Sequence, residues 1–140
     1  MRITVDTNVL VRAAVLDDPE QAQRAAKVLR DAEIIAVTVP ALCEFAWVLM
    51  RGYRRAAGEV ISMIRSLLES AAVRVDRPAI EAGLAMLAAG GDFADGVIAF
   101  EGRRLGGEVF ASFDRTAIRL IAETSGVTHL LSGEQPQPPG

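Results

Sequence analysis

The order of apolar and polar positions divides the chain into short strands and longer helices. Apolar runs rich in β-branched residues predict five strands, at about residues 3–5, 34–37, 72–75, 108–111 and 127–131. Capping residues and one-sided apolar spacing predict helices at about residues 19–32, 40–50, 58–69, 76–89, 92–105 and 115–123. Because strands and helices alternate, we expect an α/β fold, namely a three-layer α/β/α sandwich with a central, mainly parallel sheet.

The composition predicts one globular domain. The chain has 140 residues, of which 51% are hydrophobic and 24% charged, which provides a core and excludes intrinsic disorder. We assign residues 1–132 to the domain and expect a disordered tail at 133–140, which is polar and rich in proline. No apolar run reaches the ~18 residues of a membrane span, and the first residues lack a signal-peptide core, so we expect a cytoplasmic protein without membrane contact.

Residue counts exclude several kinds of chemistry. A single cysteine, Cys43, excludes an intramolecular disulfide, and a single histidine, His129, excludes mechanisms that need two. We expect both side chains to have structural roles. The net charge of −3 by itself speaks against a nucleic-acid partner, since such proteins usually carry a basic excess.

Four carboxylates stand in apolar surroundings, where a charge is costly to bury without a cation or hydrogen bonds. Asp6 follows the first strand, and Glu44 interrupts the apolar run 41–50. Asp95 lies in the first turn of its helix, and Asp114 follows the fourth strand. Sites in parallel sheets form beyond the carboxyl ends of the strands, so we expect these four side chains to share one cleft.

A divalent cation would relieve the repulsion among four such carboxylates. Oxygen ligands alone favour Mg²⁺ or Mn²⁺, which keep several waters and accept a substrate phosphate. An ion held in this way polarises a phosphodiester and activates water. Setting the four acids aside leaves 14 acidic against 15 basic residues, so the charge is compatible with a nucleic-acid substrate.

Most of these acids also have a purely structural interpretation. Asp92 is positioned to cap the following helix, and Asp95 would support its first turn through the helix dipole. Asp114 could cap the last helix, and Asp6 could begin an Asx-type turn. Glu44 has no capping role in so apolar a helix, which favours a functional site.

The motifs around these acids are similar to those of the PIN-domain family, with the closest resemblance to VapC-type toxins of prokaryotic toxin–antitoxin pairs. The resemblance rests on Glu44 and on three strings, Val5-Asp6-Thr7-Asn8-Val9-Leu10, Asp92-Phe93-Ala94-Asp95 and Ser112-Phe113-Asp114-Arg115. Order and spacing agree over nearly the whole chain up to the tail. The resemblance implies a compact α/β/α sandwich that acts as a Mg²⁺- or Mn²⁺-dependent endoribonuclease on cellular RNA.

The resemblance also implies roles for individual residues. Asp6 and Asp95 match the usual metal ligands, and Glu44 and Asp114 complete the catalytic acidic cluster. Polar positions that hydrogen-bond the acids or water are matched by Thr7, Asn8 and Ser112, while the role of Asp92 stays open.

The same resemblance implies two protein partners, a VapB-like antitoxin and a second copy of the chain in a homodimer. Gly96 departs from the alanine or other helix former that is frequent in the family, and we expect it to loosen the turn beside Asp95.

Arginines are candidates for contact with RNA phosphates, namely Arg51, Arg54, Arg55 and Arg115, with Arg103 and Arg104 as a separate pair. Arginine at a helix end also suits the dipole, so Arg103 and Arg104 have an ordinary structural interpretation. We assign Phe45 and Trp47 to the core or to a subunit interface rather than to stacking on bases.

Two other functions are weighed against the ribonuclease. A catalytically silent PIN-like module that only binds proteins would be expected to lose acids, and this chain keeps all four. A haloacid-dehalogenase-like phosphatase also starts with an aspartate after a strand. It needs a second aspartate where this chain has Asn8, and a nearby lysine where the chain offers only Lys27.

Overall fold

The computed structural model describes residues 1–124 and 126–131, so the tail predicted at 133–140 lies outside the described residues. The elements in chain order are β1 (Arg2–Thr4), α1 (Thr7–Val15), α2 (Pro19–Asp31), β2 (Ile34–Ala36), α3 (Val39–Trp47), α4 (Ala57–Glu69), β3 (Val73–Arg74), α5 (Arg77–Ala88), α6 (Phe93–Arg104), β4 (Val109–Ser112), α7 (Arg115–Thr124) and β5 (Val127–Leu130). Each predicted strand and helix has a counterpart within a few residues of its predicted bounds.

Two segments differ from the predicted elements. Residues 7–15, which the apolar pattern did not assign, form helix α1, and Leu16 ends it in the left-handed conformation with φ 62°. The helix predicted at 40–50 ends at Trp47 and continues as a π-helical turn, Val48–Gly52. In that turn the Tyr53 N–H donates to the carbonyl of Val48 at 3.1 Å.

Three helices begin at caps that the sequence provides. The side chains of Asp18, Thr38 and Asp76 each accept a hydrogen bond from the backbone N–H three residues later, at 3.1 to 3.3 Å. A proline follows each cap within two residues, where its missing N–H costs no helical hydrogen bond. The caps therefore fix where α2, α3 and α5 begin.

All strand pairs in the described residues are parallel. One sheet has the order β1-β2-β3, with Ile35 paired to Ile3 and to Val73. A second sheet joins β4 and β5, with Val109 opposite Val127. The parallel α/β fold is confirmed, although within residues 1–124 and 126–131 the hydrogen-bonded ladder forms two groups of strands rather than one. No helix in this part of the chain is long and apolar enough to cross a membrane.

The main core packs the first sheet against helices α1, α3, α4, α5 and α6. Its most deeply buried large side chains are Ile35, Leu42, Leu49, Ile64, Ile80 and Leu84. Burying each such side chain contributes about 1.5–3 kcal/mol. A smaller cluster of Met86, Leu120 and Ile121, with Phe110 against it, attaches α7 and β4 to α5.

Gly96 lies at a close contact between α5 and α6. A Cβ at this position would lie 2.5 Å from the carbonyl oxygen of Ala82 and 2.7 Å from the Cβ of Met86. The expectation that Gly96 loosens its turn is therefore corrected: residue 96 is buried and helical, and the absent side chain allows the two helices to approach. This approach holds the start of α6, which carries Asp95, against α5.

Candidate active site

Asp6 lies between β1 and α1 and caps the helix. Its Oδ1 accepts a hydrogen bond from the Val9 N–H at 3.2 Å, so the structural interpretation of Asp6 holds in the structure. The next residue, Thr7, is buried, and its Oγ1 donates to the carbonyl of Ala41 at 3.4 Å. This bond ties the start of α1 to the first turns of α3.

Glu44 lies on α3 three residues after Ala41, and residues so spaced share one side of a helix. Its side chain is exposed, whereas Leu42 and Phe45 beside it in sequence are buried. The Thr7–Ala41 bond therefore joins the segment that carries Asp6 to the helix that carries Glu44. Asn8, in the first turn of α1, is also exposed.

Three aspartates line one cleft of about 240 Å³: Asp92 before α6, Asp95 in its first turn, and Asp114 before α7. Another part of its lining comes from α3 and the π-helical turn, with Cys43, Ala46, Trp47, Met50 and Arg51. The described residues that line the cleft do not include Asp6 or Glu44. The structure thus brings two of the four predicted acids together, along with Asp92.

Asp92 and Asp114 cap the helices that they precede. Asp92 Oδ1 accepts from the Ala94 N–H at 2.7 Å. Asp114 Oδ1 accepts from Thr116 and Ala117 at 2.9 and 3.1 Å, and the Asp114 N–H donates to Ser112 Oγ at 2.9 Å. Capping fixes one oxygen of each carboxylate, so the cap interpretation and a place in the cleft are compatible.

Asp95 is half-buried beside these two acids. Burial raises the pKa of Asp95 above its ordinary value, and the negative charges of Asp92 and Asp114 raise it further. The cleft therefore concentrates negative charge around one partly desolvated carboxylate, and a cation would relieve that cost.

The carboxylates fit a hydrated ion better than a closed metal cage. Within residues 1–124 and 126–131, no three His, Cys, Asp or Glu side chains are grouped closely enough to hold a metal ion. Mg²⁺ in proteins is usually held by one or two carboxylates and completes its shell with water and substrate phosphate. The donor chemistry at Asp95 and its neighbours therefore suits Mg²⁺ or Mn²⁺ with most of its water retained.

The arginines predicted to contact RNA occupy different settings. Arg51 is exposed and is the one basic side chain among the described residues that line the cleft. Arg54 and Arg115 are exposed, and Arg55 forms an ion pair with Glu59 at 3.3 Å. Arg104 is held by Asp76 at 2.6 Å, which favours its structural interpretation.

The sequence interpretation missed part of the cleft. Phe45 is 3% exposed and belongs to the core, which is one of its two predicted places. Trp47 is 58% exposed and lines the cleft, so of its two predicted places the core is wrong and the subunit interface stays a prediction. Cys43 also lines the cleft, where burial, and then the charges of Glu101 and Asp92, raise the pKa of its thiol to about 11. The cleft positions of Cys43 and Trp47 could not be predicted, because both lie in the apolar run 41–50 and residues in such a run are usually buried in the core.

Comparison with known families gives a match to the model of the PIN domain over residues 3–123. The matched range contains every residue named above as a candidate for catalysis, metal binding or RNA contact. No curated protein matches the chain.

Proposed function

The chain belongs to the PIN domain family, and from this premise we propose that it is a Mg²⁺- or Mn²⁺-dependent endoribonuclease, the toxin of a VapBC-type toxin–antitoxin pair. PIN domains have a nuclease-type fold and are generally dependent on divalent metal ions. The motifs around Asp6, Glu44, Asp95 and Asp114 support the more specific parts of the proposal, namely RNA as the substrate and a role as a toxin.

The observation that carries the proposal is the convergence of Asp92, Asp95 and Asp114 on one cleft, with Asp95 half-buried between like charges. Groups whose ionisation is disfavoured in this way cluster at functional sites. Asp92 and Asp114 each keep a second oxygen that the capped N–H groups do not require. The cleft can therefore present several carboxylate oxygens to a cation without losing its helix caps.

We assign the roles as follows. Asp6 and Asp95 would hold the ion, and Glu44 and Asp114 would orient water or hold a second ion. Thr7, Asn8 and Ser112 would fix the backbone or hydrogen-bond the acids, with Asp92 in support. When bound, the ion would supply Lewis acidity toward a phosphodiester and would activate water. A carboxylate that does not hold the ion would accept the proton of the attacking water, and Arg51 or Arg115 would pair with phosphate.

The proposal includes the partners of such a toxin. A VapB-like antitoxin would inhibit the enzyme, and two copies of the chain would form a homodimer in the cytoplasm. The support is the resemblance to VapC-type toxins in the order and spacing of the acids.

The decisive experiment compares the parent protein with Asp6→Ala for growth arrest on induction and for Mg²⁺-dependent cleavage of total RNA. Asp31→Ala is the matched control, because Asp31 is an exposed acid paired with Lys27 at 2.8 Å. We expect the parent and Asp31→Ala to arrest growth and cleave RNA, and Asp6→Ala to do neither. Equal toxicity of all three, or cleavage that persists with a chelator, would overturn the nuclease proposal.

A non-catalytic protein-binding module is the second candidate. It is favoured by one observation: the described residues contain no preformed group of three metal-ligating side chains. If the parent protein binds a partner but cleaves no RNA with Mg²⁺ or Mn²⁺, this second function is correct.

A further inference from the structure

Trp47 is the one tryptophan of the chain, and it is 58% exposed. It is the last residue of α3 and lines the same cleft as Asp92, Asp95 and Asp114. Tryptophan presents a large flat apolar face, and aromatic residues are enriched at binding interfaces. Phe45 and Phe93 are 3% and 2% exposed, and Phe113, which precedes Asp114, is 61% exposed but does not line the cleft, so Trp47 is the exposed aromatic residue among the described residues that line it.

Arg51 follows Trp47 by one helical turn and lines the same cleft. Its side chain is exposed, and the ion pairs found in residues 1–124 and 126–131 do not include it. The cleft thus offers an aromatic surface and a cation from α3 and the π-helical turn, and carboxylates at the starts of α6 and α7. A nucleotide has the matching parts, a flat base and a phosphate.

We propose that Trp47 and Arg51 form a nucleotide-binding subsite, in which Trp47 stacks on one unpaired base and Arg51 contacts the adjoining phosphate. This inference rests on the proposed ribonuclease function and adds to it two residues that would bind one nucleotide beside the acids; stacking on Trp47 requires RNA that is single-stranded at the cleft. A base within an A-form duplex is stacked on its neighbours and does not expose its face to a protein side chain.

A second copy of the chain is the competing occupant of this surface. Its binding would cover Arg51, Asp92, Asp95 and Asp114 along with Trp47, because these residues share one cleft. The cores of protein interfaces are depleted of charged residues, and a second copy here would cover Arg51 and three aspartates at once. The charges around Trp47 therefore favour a nucleotide over a protein surface.

The fluorescence of the parent chain's one tryptophan reports on this subsite directly. We would titrate the Asp6→Ala protein in Mg²⁺ with oligouridylate, with an abasic ribose-phosphate oligomer of equal length, and with an RNA duplex. Stacking is expected to quench Trp47 with oligouridylate but not with the other two probes. Equal quenching by the abasic oligomer would overturn the proposal, and so would binding of oligouridylate without quenching.

Acrylamide quenching of the RNA-free protein tests the competing occupant. We expect ready quenching at every protein concentration, since Trp47 would be open to solvent. Quenching that falls as the protein associates would show that a second copy covers Trp47 and would overturn the subsite.

Substitutions of Trp47 distinguish a role in base stacking from a structural role. Trp47→Ala is expected to raise KM for single-stranded RNA about 5- to 150-fold, the value of stacking one base, with kcat nearly kept. Trp47→Phe should restore most of the loss, Trp47→Leu should not, and Leu105→Ala, which alters an exposed apolar residue that does not line the cleft, should change nothing. An unchanged KM in Trp47→Ala, or equal rescue by leucine and phenylalanine, would overturn stacking.

Arg51→Gln tests the phosphate contact through salt dependence. Loss of one contact to single-stranded RNA should lower the slope of log affinity against log salt by about 0.7. An unchanged slope contradicts the role of Arg51. An unchanged KM of Trp47→Ala, with a parent that cleaves RNA, would overturn the subsite alone, whereas failure of the parent to cleave or bind any RNA overturns the proposed function and the subsite together.

Discussion

Arg104 holds Asp76 with both ends of its guanidinium group, Nη1 to Oδ2 at 2.6 Å and Nη2 to Oδ1 at 3.2 Å. Arg104 is the last residue of α6, and Asp76 caps α5. The guanidinium also lies over the ring of Phe100, 4.4 Å from its centroid. This pair therefore fixes the far end of α6, the helix that carries Asp95 in its first turn.

Asp76→Asn should lower Tm at neutral pH and have little effect in acid. The hydrogen bond from Arg104 holds the pKa of Asp76 below its ordinary value of 3.8. A carboxylate whose pKa is lowered by folding stabilises the folded state above the unfolded pKa, and this contribution is lost as pH falls through the folded pKa. Thermal unfolding followed by circular dichroism at several pH values measures the difference between variant and parent.

Glu20→Gln is the control for Asp76→Asn. Glu20 pairs with Arg24 at 2.6 Å, but both side chains are 75% exposed, and such pairs contribute little. We expect Glu20→Gln to leave Tm nearly unchanged. If the Tm difference for Asp76→Asn were the same at pH 7 and in strong acid, the role assigned to the Arg104 pair would be wrong.

Gly96→Ala should destabilise the protein by about 1–3 kcal/mol, because the new Cβ would meet the backbone carbonyl of Ala82. Gly102→Ala, in the same helix, is a matched comparison, since a Cβ there has no neighbour within 4 Å. Alanine in the open helical position should stabilise by about 0.4–1 kcal/mol. Urea unfolding of the two variants measures both effects, and equal changes would contradict the close contact between α5 and α6.

Asp95→Asn should abolish cleavage and yet raise Tm in the presence of a chelator. Burial and the nearby charges of Asp92 and Asp114 raise the pKa of Asp95, so its ionised form destabilises the folded protein near pH 7. Asparagine has nearly the same shape without the charge. Added Mg²⁺ should raise the Tm of the parent more than that of the variant.

Asp31→Asn is the control for this experiment, since the hydrogen bond and charge of Lys27 lower the pKa of Asp31. Removal of the Asp31 carboxylate should leave Tm unchanged or lower it slightly. A Tm for Asp95→Asn that does not exceed the parent value in chelator would contradict the repulsion inferred for the cleft.

Cys43 should react slowly with iodoacetamide at pH 8 in chelated, folded protein. Its thiol pKa of about 11 leaves little thiolate at that pH, and the thiolate is the reactive form. The rate should rise with pH up to about 11. In denaturant the same cysteine should titrate near ~8.5, the ordinary value.

Glu101→Gln tests the electrostatic part of the Cys43 prediction, because the negative charge of Glu101 raises the thiol pKa. The variant should react faster than the parent at pH 8, whereas Glu59→Gln, on α4, should react at the parent rate. Rapid alkylation of the folded parent at pH 8 would show that the surroundings of Cys43 are wrongly described.

Local signals predicted most of the fold. Asp18-Pro19, Thr38 before Pro40, and Asp76 before Pro78 mark helix starts, and the structure uses all three as caps. Alternation of strands and helices was enough to predict parallel pairing, because consecutive parallel strands need a crossover connection. These signals act between residues that are close in sequence.

Contacts between distant residues could not be predicted in this way. The exposure of Trp47 depends on where α6 and α7 lie relative to α3, and its apolar neighbours in sequence indicate burial. From sequence alone Gly96 is a glycine that weakens its helix. The structure shows the carbonyl of Ala82 beside it, so that a larger residue would not fit. The spacing of the acids predicted a shared cleft for Asp95 and Asp114, and the places of Asp6 and Glu44 in the site stay predictions.

Because of the π-helical turn at Val48–Gly52, the geometry of the cleft depends on the number of residues in this segment as well as on their identity. A π turn holds one residue more than an α-helical turn, and each helical residue rotates the next by about 100°. Deletion of one residue between Trp47 and Arg51 would leave the two residues three apart in an α-helix, which keeps them on one side but changes the distance and angle between the indole ring and the guanidinium group. Related chains that differ by a single insertion or deletion in this segment are therefore expected to differ in the RNA that they select, even when every acid is kept.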